Sequence, residues 1–165
     1  ARGMRSALAR VPVGADGGAL AGDESTAADT VNNFTQGTDD VNIATALEAA
    51  LTNGNQDGTL DVSTFTKNGL NKNTTNSDVF ILTGTTEDDL DDLSNVFTDI
   101  GTVTTTNNDA FFVVVSNAAA TQSGIYYVSA GAGANSGAAL TAAEIALVGI
   151  VNTTAALAAA GFELI

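Results

Sequence analysis

The chain contains no cysteine, no histidine and no tryptophan, and it has a single proline among 165 residues. Without histidine or cysteine, thiolate nucleophiles, Ser-His-Asp triads and zinc or haem sites built from those residues are excluded. Catalysis would have to use carboxylates, two tyrosines or two lysines, and no spacing of these residues indicates an active site. The sequence therefore predicts a protein that is not an enzyme.

Positive charge is also scarce, because five basic residues stand against 19 acidic ones and the net charge is −14. This balance disfavours nucleic acid and anionic membrane surfaces as partners, since both would be repelled. Arg2, Arg5 and Arg10 fall in the first ten residues, so only Lys67 and Lys72 lie in the rest of the chain. We expect this acidic remainder to be screened by cations or to bind a basic segment of a neighbouring copy.

Long apolar runs are missing as well. No run approaches the roughly 18 residues that a membrane-spanning helix needs, and the first residues lead into no apolar stretch of the kind found in signal peptides. Low lysine together with abundant threonine, asparagine, glycine and alanine is typical of secreted bacterial surface proteins. The composition predicts an extracellular protein of the cell surface without membrane insertion.

The length supports one domain preceded by an arm. Residues 1–30 are glycine-rich and weakly hydrophobic and predict an extended N-terminal arm, whereas residues 31–165 predict the domain itself. Within the arm, Pro12 favours an edge strand because it cannot donate to a central ladder. The arm either wraps its own domain or is exchanged with a neighbouring subunit. Its candidate subunit contacts are Arg2, Arg5, Arg10, Val11 and Val13.

Two features follow the arm. Apolar residues at helical spacing predict a helix over residues 41–52. The next segment has the oxygen spacing of a calcium loop of the EF-hand or dockerin kind, with Gly58 at its sharp turn. Because Thr64 stands where a bidentate carboxylate is expected, calcium binding should be weak; the alternative is an Asn-Gly turn that leads into a strand over residues 59–66. The candidate ligands are Asn53, Asn55, Asp57, Thr59 and Asp61.

The C-terminal half is rich in β-branched and aromatic runs, which predict strands and hairpins. Phe111–Val115 has no polar alternation, so this strand should be central and buried on both faces. A helix-start signature at 85–88 predicts a helix over 87–97, and residues 154–161 predict a brief helix before a final strand. The predicted fold is a single α+β domain dominated by antiparallel strands, with two or three short helices and the N-terminal arm.

Three segments of this half also carry a family resemblance: DAFFVVVSN at 109–117, GIYYVSAG at 124–131 and LTAAEIALVGIVNTTAALAAAGFEL at 140–164. Together with the strand DVFILTG they resemble the terminal module of large bacterial surface proteins of the repeats-in-toxin type, over about Ser77 to Ile165. The resemblance implies export by type I secretion and a calcium-binding acidic loop. In this chain the corresponding loop carries no carboxylate, and the glycine-rich nonapeptide repeats of that family are absent.

These observations favour a secreted structural subunit that builds an extracellular homopolymer, a filament or a surface layer, through its N-terminal arm. The expected partners are copies of itself. The alternative is a calcium-dependent adhesin or a carbohydrate-binding module that recognises surface glycans at the end of a larger secreted protein.

Overall fold

The computed structural model of the protein describes residues 29–43, 51, 59–84, 89–106, 109–130 and 136–164. Strands dominate this part of the chain, which confirms the strand-rich domain. One α-helix, α1 (Leu93–Ile100), and one turn of 3-10 helix (Ala159–Gly161) complete its regular structure. The strands are β1 (Asp29–Phe34), β2 (Val41–Ile43), β3 (Val62–Phe65), β4 (Leu70–Asn71), β5 (Val79–Leu82), β6 (Thr102–Thr104), β7 (Ala110–Ser116), β8 (Gln122–Ser129), β9 (Ser136–Ala139), β10 (Ile145–Thr153) and β11 (Phe162–Leu164).

A six-stranded mixed sheet forms the centre of the molecule, in the order β1-β10-β8-β7-β5-β3. Its middle is the predicted hairpin, in which β7 and β8 pair antiparallel from Ala110 opposite Ser129 to Ser116 opposite Ser123. Asn117 closes the hairpin, because its side-chain oxygen accepts hydrogen bonds from the backbone N–H groups of Thr121 and Gln122 at 2.9 and 3.0 Å. The antiparallel hairpin therefore sits within a sheet whose β3, β5 and β7 run parallel.

The strand β7 is buried on both faces, as its unbroken apolar run predicts, since all five residues of Phe111–Val115 are fully buried. Alternate side chains of a strand point to opposite faces. Phe111 and Val113 therefore belong to one hydrophobic cluster and Phe112 and Val114 to another. The sheet consequently needs a covering layer on each side.

Each face is covered by different short elements. On one face, Val96 and Ile100 of α1 pack in the same cluster as Leu70 and Val103 of the three-stranded sheet β4-β6-β9. On the other face, β2 and β11 pair in parallel and contribute buried and half-buried apolar side chains. The molecule thus has three layers, with the six-stranded sheet between two thinner ones.

The helix α1 begins later than the sequence predicts. Its N-cap is Asp92, whose side chain accepts a hydrogen bond from the backbone N–H of Ser94 at 2.8 Å. Such a cap satisfies one of the backbone N–H groups that a helix start leaves without an intrahelical partner. The helix ends at Ile100, followed by Gly101 at φ +71°, rather than at residue 97. The predicted bounds of 87–97 were therefore wrong at both ends, because the local cap decided where the helix starts.

Two further expectations were wrong in part. Val41–Ile43, placed at the start of a helix, instead forms β2, because it pairs in register with Phe162–Leu164 of β11. Five of the eight strand pairings within the described residues are parallel, so antiparallel pairing does not dominate, although the two longest ladders are antiparallel. The remainder of that predicted helix lies outside the described residues, apart from the buried Leu51.

The two adjacent tyrosines of β8 give a matched test of this packing. The hydroxyl of the fully buried Tyr126 donates a hydrogen bond to the backbone carbonyl of Leu90, and burial raises its pKa, so it stays protonated as a donor. Tyr127 is half-buried. We expect Tyr126→Phe to lower the free energy of unfolding by about 1–3 kcal/mol, because a buried carbonyl loses its donor, and Tyr127→Phe to lower it by less than about 1 kcal/mol. Urea denaturation measures both, and equal effects would contradict the assignment.

Candidate functional site: a buried lysine among aspartates

Three aspartates occupy equivalent positions at the amino ends of three neighbouring strands of the central sheet. Asp61, Asp78 and Asp109 each immediately precede a strand, β3, β5 and β7 respectively. These strands are parallel neighbours, so their amino ends lie side by side. The backbone N–H of Asp61 donates to the carboxylate of Asp78 at 2.9 Å, and the N–H of Asp78 donates to the carbonyl of Asp61 at 2.8 Å.

A lysine is buried beside them. Lys72 directly follows β4, and its backbone N–H donates to the carbonyl of Thr104 at 2.9 Å, which fixes the loop against β6. The residue is only 2% exposed. Its Nζ donates to the carbonyl of Ser77 at 2.6 Å and lies 5.8 and 6.0 Å from the ring centroids of Phe80 and Phe111. The ammonium group is thus held between a backbone carbonyl and two aromatic rings rather than in solvent.

Burial and charge act on Lys72 in opposite directions. Removal from water is the larger effect and lowers the pKa of its amine, because the charged form loses hydration. The carboxylates of Asp78, Asp109 and Asp61, in decreasing order, raise that pKa. The four residues Lys72, Asp61, Asp78 and Asp109, which we call the lysine cluster, therefore form one electrostatic unit.

Asp109 is the most enclosed member of the lysine cluster, with 0% exposure. Its two carboxylate oxygens accept hydrogen bonds from Thr106, one from the backbone N–H at 2.6 Å and one from the hydroxyl at 2.8 Å. The carbonyl of Asp109 accepts from the N–H of Ala130 at 2.8 Å. These bonds hold the carboxyl group in a single orientation at the start of β7.

A cavity of about 270 Å³ connects the lysine cluster to the surface. Lys72 and Asp109 form its inner wall, because both are buried, whereas Asn73, Asn76 and Thr106 are exposed at its rim. The residues that line it carry two amides, a hydroxyl, a carboxylate and an amine. These groups can hydrogen-bond to water or to a small hydroxyl-bearing ligand.

The predicted site residues are distributed unevenly over the described chain. Asp61 joins the lysine cluster and is half-buried, and Thr59 is exposed. Within the described residues, no three Asp or Glu side chains, those of the lysine cluster included, form a group that could hold a metal ion. The calcium loop therefore stays a prediction. Its other ligands Asn53, Asn55 and Asp57, and the arm contacts Arg2, Arg5, Arg10, Val11 and Val13, lie outside the described residues.

The lysine cluster itself was missed by reasoning from the sequence. A signal was present, because Asp-Val, Asp-Val and Asp-Ala pairs begin three of the strongest strand patterns, at Asp61, Asp78 and Asp109. Parallel pairing brings such positions together at the amino ends of the strands, but the parallel order of these strands was not predicted. Lys72 lies in a polar segment, and nothing in its neighbours along the chain indicates burial.

Comparison with known proteins identifies no relative: no family model, no curated protein and no solved structure matches the chain. None of the helices within the described ranges has the length and apolar character required to cross a lipid bilayer. The function is therefore inferred from the residues and the geometry given above.

The charge pairing of Lys72 predicts that the two lysines of the domain contribute very differently to the free energy of unfolding. Lys72→Met leaves buried carboxylates without their cation, so we expect it to lower the free energy of unfolding by about 3–5 kcal/mol. Lys67→Met, at an exposed position, should change it by no more than about 0.5 kcal/mol. Adding Asp78→Asn to Lys72→Met should recover part of the loss. Chemical denaturation measures all three, and a stable Lys72→Met protein would contradict the pairing.

Proposed function

We propose that this protein is a secreted structural subunit of an extracellular homopolymer, a filament or a surface layer, assembled through its N-terminal arm. The observation that carries the proposal is the order of the six-stranded sheet, in which β1 and β3 are the two outer strands. Residues 29 and 30, the last two of the predicted arm, belong to β1, so residues 1–28 join the sheet at one of its edges. A strand added at β3, the opposite edge, links subunits head to tail, and such a contact does not close on itself.

The outer side of β3 has backbone groups suited to strand addition. The carbonyls of Asp61 and Phe65 accept hydrogen bonds from Val79 and Thr83, at the side of β5. Because backbone groups alternate in direction along a strand, the N–H and carbonyl of Thr64 point to the other side. No strand of the described residues pairs there. The short strand that we predict at Arg10–Val13 would add at this position, and Pro12 suits an outermost strand.

Because both faces of the sheet are covered, we expect the arm to pair with β3 of a neighbouring subunit rather than with β3 of its own chain. Five strand spacings of about 4.8 Å separate β1 from β3 by roughly 24 Å, and residues 1–28 can span at most about 90 Å, so length permits both. Between the two edges, however, α1 with β4-β6-β9 covers one face and β2 with β11 covers the other. A path to the chain's own β3 must run outside these layers, whereas a neighbour's edge is reached without crossing them.

Charge complementarity also supports exchange of the arm between subunits. Lys72 is buried, so Lys67 is the one exposed cation of the described residues. Asp89 and Asp91 are both exposed and crowd each other; the pKa of Asp89 is raised by its hydrogen bond to Asp91 and by the charge of that carboxyl. Arginines from an arm would relieve such repulsion. Exposed ion pairs contribute only about 0–1 kcal/mol each, so backbone pairing and apolar burial must supply most of the affinity.

A complementation experiment tests the head-to-tail assembly. Deletion of residues 1–13 removes the arm contacts but leaves β3 intact, and Thr64→Pro removes the outward N–H of β3 but leaves the arm intact. Each variant alone should be folded and monomeric by circular dichroism and light scattering. A mixture of the two should form a dimer that grows no further. The dimer has one intact arm and one intact acceptor edge, and its single contact uses both.

The matched control is Thr64→Ala, which keeps the backbone N–H and should polymerise like the parent chain. Polymers formed by the arm-deleted chain would refute assembly through the arm. Monomers throughout, including the parent chain, would show that the arm docks on its own domain and would favour the carbohydrate-binding alternative.

The cavity beside the lysine cluster is the specific observation in favour of that alternative. Asn73, Asn76 and Thr106 present amide and hydroxyl groups at its rim, and these groups hydrogen-bond well to sugar hydroxyls. If the domain binds surface glycans there, Asn76→Ala should reduce binding on a glycan array by about five- to tenfold, since one lost polar contact is worth about 1–1.5 kcal/mol. The exposed Thr98→Ala, on α1, should bind like the parent chain. Equal binding by both variants would place any glycan elsewhere.

A further inference from the structure

The lysine cluster brings together the reacting groups of an amide bond. Lys72, Asp109 and Asp78 are all buried, and both carboxylates act electrostatically on the amine of Lys72. Lys72 and Asp109 also line the same cavity. We propose that Lys72 Nζ and Asp109 Cγ form an intramolecular isopeptide bond, with Asp78 as the proton carrier. The proposal does not depend on assembly through the arm.

The environment of Lys72 prepares its amine for attack. An ammonium group has no lone pair and cannot react, whereas burial favours the neutral amine and lowers the pKa of Lys72. The hydrogen bond from Nζ to the carbonyl of Ser77, at 2.6 Å, holds the nitrogen in place. The rings of Phe80 and Phe111 exclude water from its sides. A positioned neutral amine in such surroundings is a nucleophile.

The environment of Asp109 prepares its carboxyl carbon as the electrophile. Two hydrogen bonds from Thr106, at 2.6 and 2.8 Å, reach the two carboxyl oxygens. Donors in this position stabilise the negative charge that develops on oxygen when a nucleophile adds to the carbon. Among the carboxylates, Asp78 has the largest effect on the pKa of Lys72, which suits Asp78 to exchange protons with the amine.

The reaction balances without a co-reactant. A proton passes from the ammonium of Lys72 through Asp78 to the carboxylate of Asp109, which leaves a neutral amine and a carboxylic acid. Nζ then adds to Cγ of Asp109, and Asp78 takes one proton from the attacking nitrogen. The C–O bond of the tetrahedral intermediate breaks as Asp78 gives this proton to the departing hydroxyl, which leaves as water. The cavity at Asn73, Asn76 and Thr106 gives that water a path to solvent. No atom is oxidised or reduced, and the products are one amide and one water molecule.

Burial also favours the product over the starting pair. Charges removed from water carry a desolvation cost that a neutral amide does not. The amide nitrogen retains one N–H, so it still donates to the carbonyl of Ser77. Proximity within the fold replaces a bimolecular encounter, which is worth several orders of magnitude in rate. The bond would join the loop after β4 to the start of β7 and restrict the unfolded chain much as a disulfide does, in a protein without cysteine.

Intact mass spectrometry of the denatured full chain tests the bond directly. The expected mass is about 18 Da below that of the sequence, the mass of one water. Trypsin should fail to cleave after Lys72, because the amide removes its charge, while it still cleaves after Lys67. Further digestion should yield a branched peptide, which tandem mass spectrometry assigns to Lys72 joined to Asp109. The full sequence mass with complete cleavage after Lys72 would overturn the proposal, and a branch at Asp78 or Asp61 would overturn the assignment of Asp109.

Matched variants separate the bond from other losses of water. A succinimide, for example at Asp57-Gly58, gives the same mass change but is cleaved by hydroxylamine, whereas an isopeptide bond is not. Lys72→Arg keeps the positive charge but removes the amine, so it should have the full sequence mass. Lys67→Arg should keep the deficit of about 18 Da. A deficit that persists in Lys72→Arg, or that disappears with hydroxylamine, would overturn the proposal.

Discussion

Burial of β7 on both faces is the constraint on which the rest of the structure depends. Five consecutive residues, Phe111–Val115, are removed from solvent, so neither face of the central sheet can be left to water. A chain with few large apolar residues meets this demand by placing short elements on both sides, α1 with β4-β6-β9 on one and β2 with β11 on the other. The long β7–β8 hairpin holds these thin layers together, because each packs against the sheet rather than forming a core of its own.

The lysine cluster follows from the same constraint. When parallel strands are buried on both faces, their ends are the first positions where polar groups can occur. Asp61, Asp78 and Asp109 lie at these ends. Lys72, which directly follows β4 of the three-stranded sheet, is buried beside them. Their charges are partly removed from water, so each depends on the others for compensation. This dependence makes the cluster the most chemically distinctive part of the described chain.

The proposed assembly and the proposed isopeptide bond draw on different properties of one sheet. Strand order determines which edges face outward and therefore how a subunit could add to the next. The common direction of β3, β5 and β7 determines which residues meet at their amino ends. A polymer outside the cell is under mechanical and chemical stress, and a covalent amide inside each subunit would resist unfolding where disulfides are absent. The two proposals are thus compatible but independent.

The sequence by itself determined the strand-rich class, the β7–β8 hairpin and the central position of Phe111–Val115, because these depend on local apolar runs and on a turn between neighbours in the chain. Only the tertiary structure decided that Val41–Ile43 is a strand, since its partner β11 lies near the other end of the chain and overrides a local helical spacing. It alone also decided that Lys72 is buried among aspartates. Pairing over long sequence separations creates that environment, and the residues adjacent to Lys72 carry no trace of it.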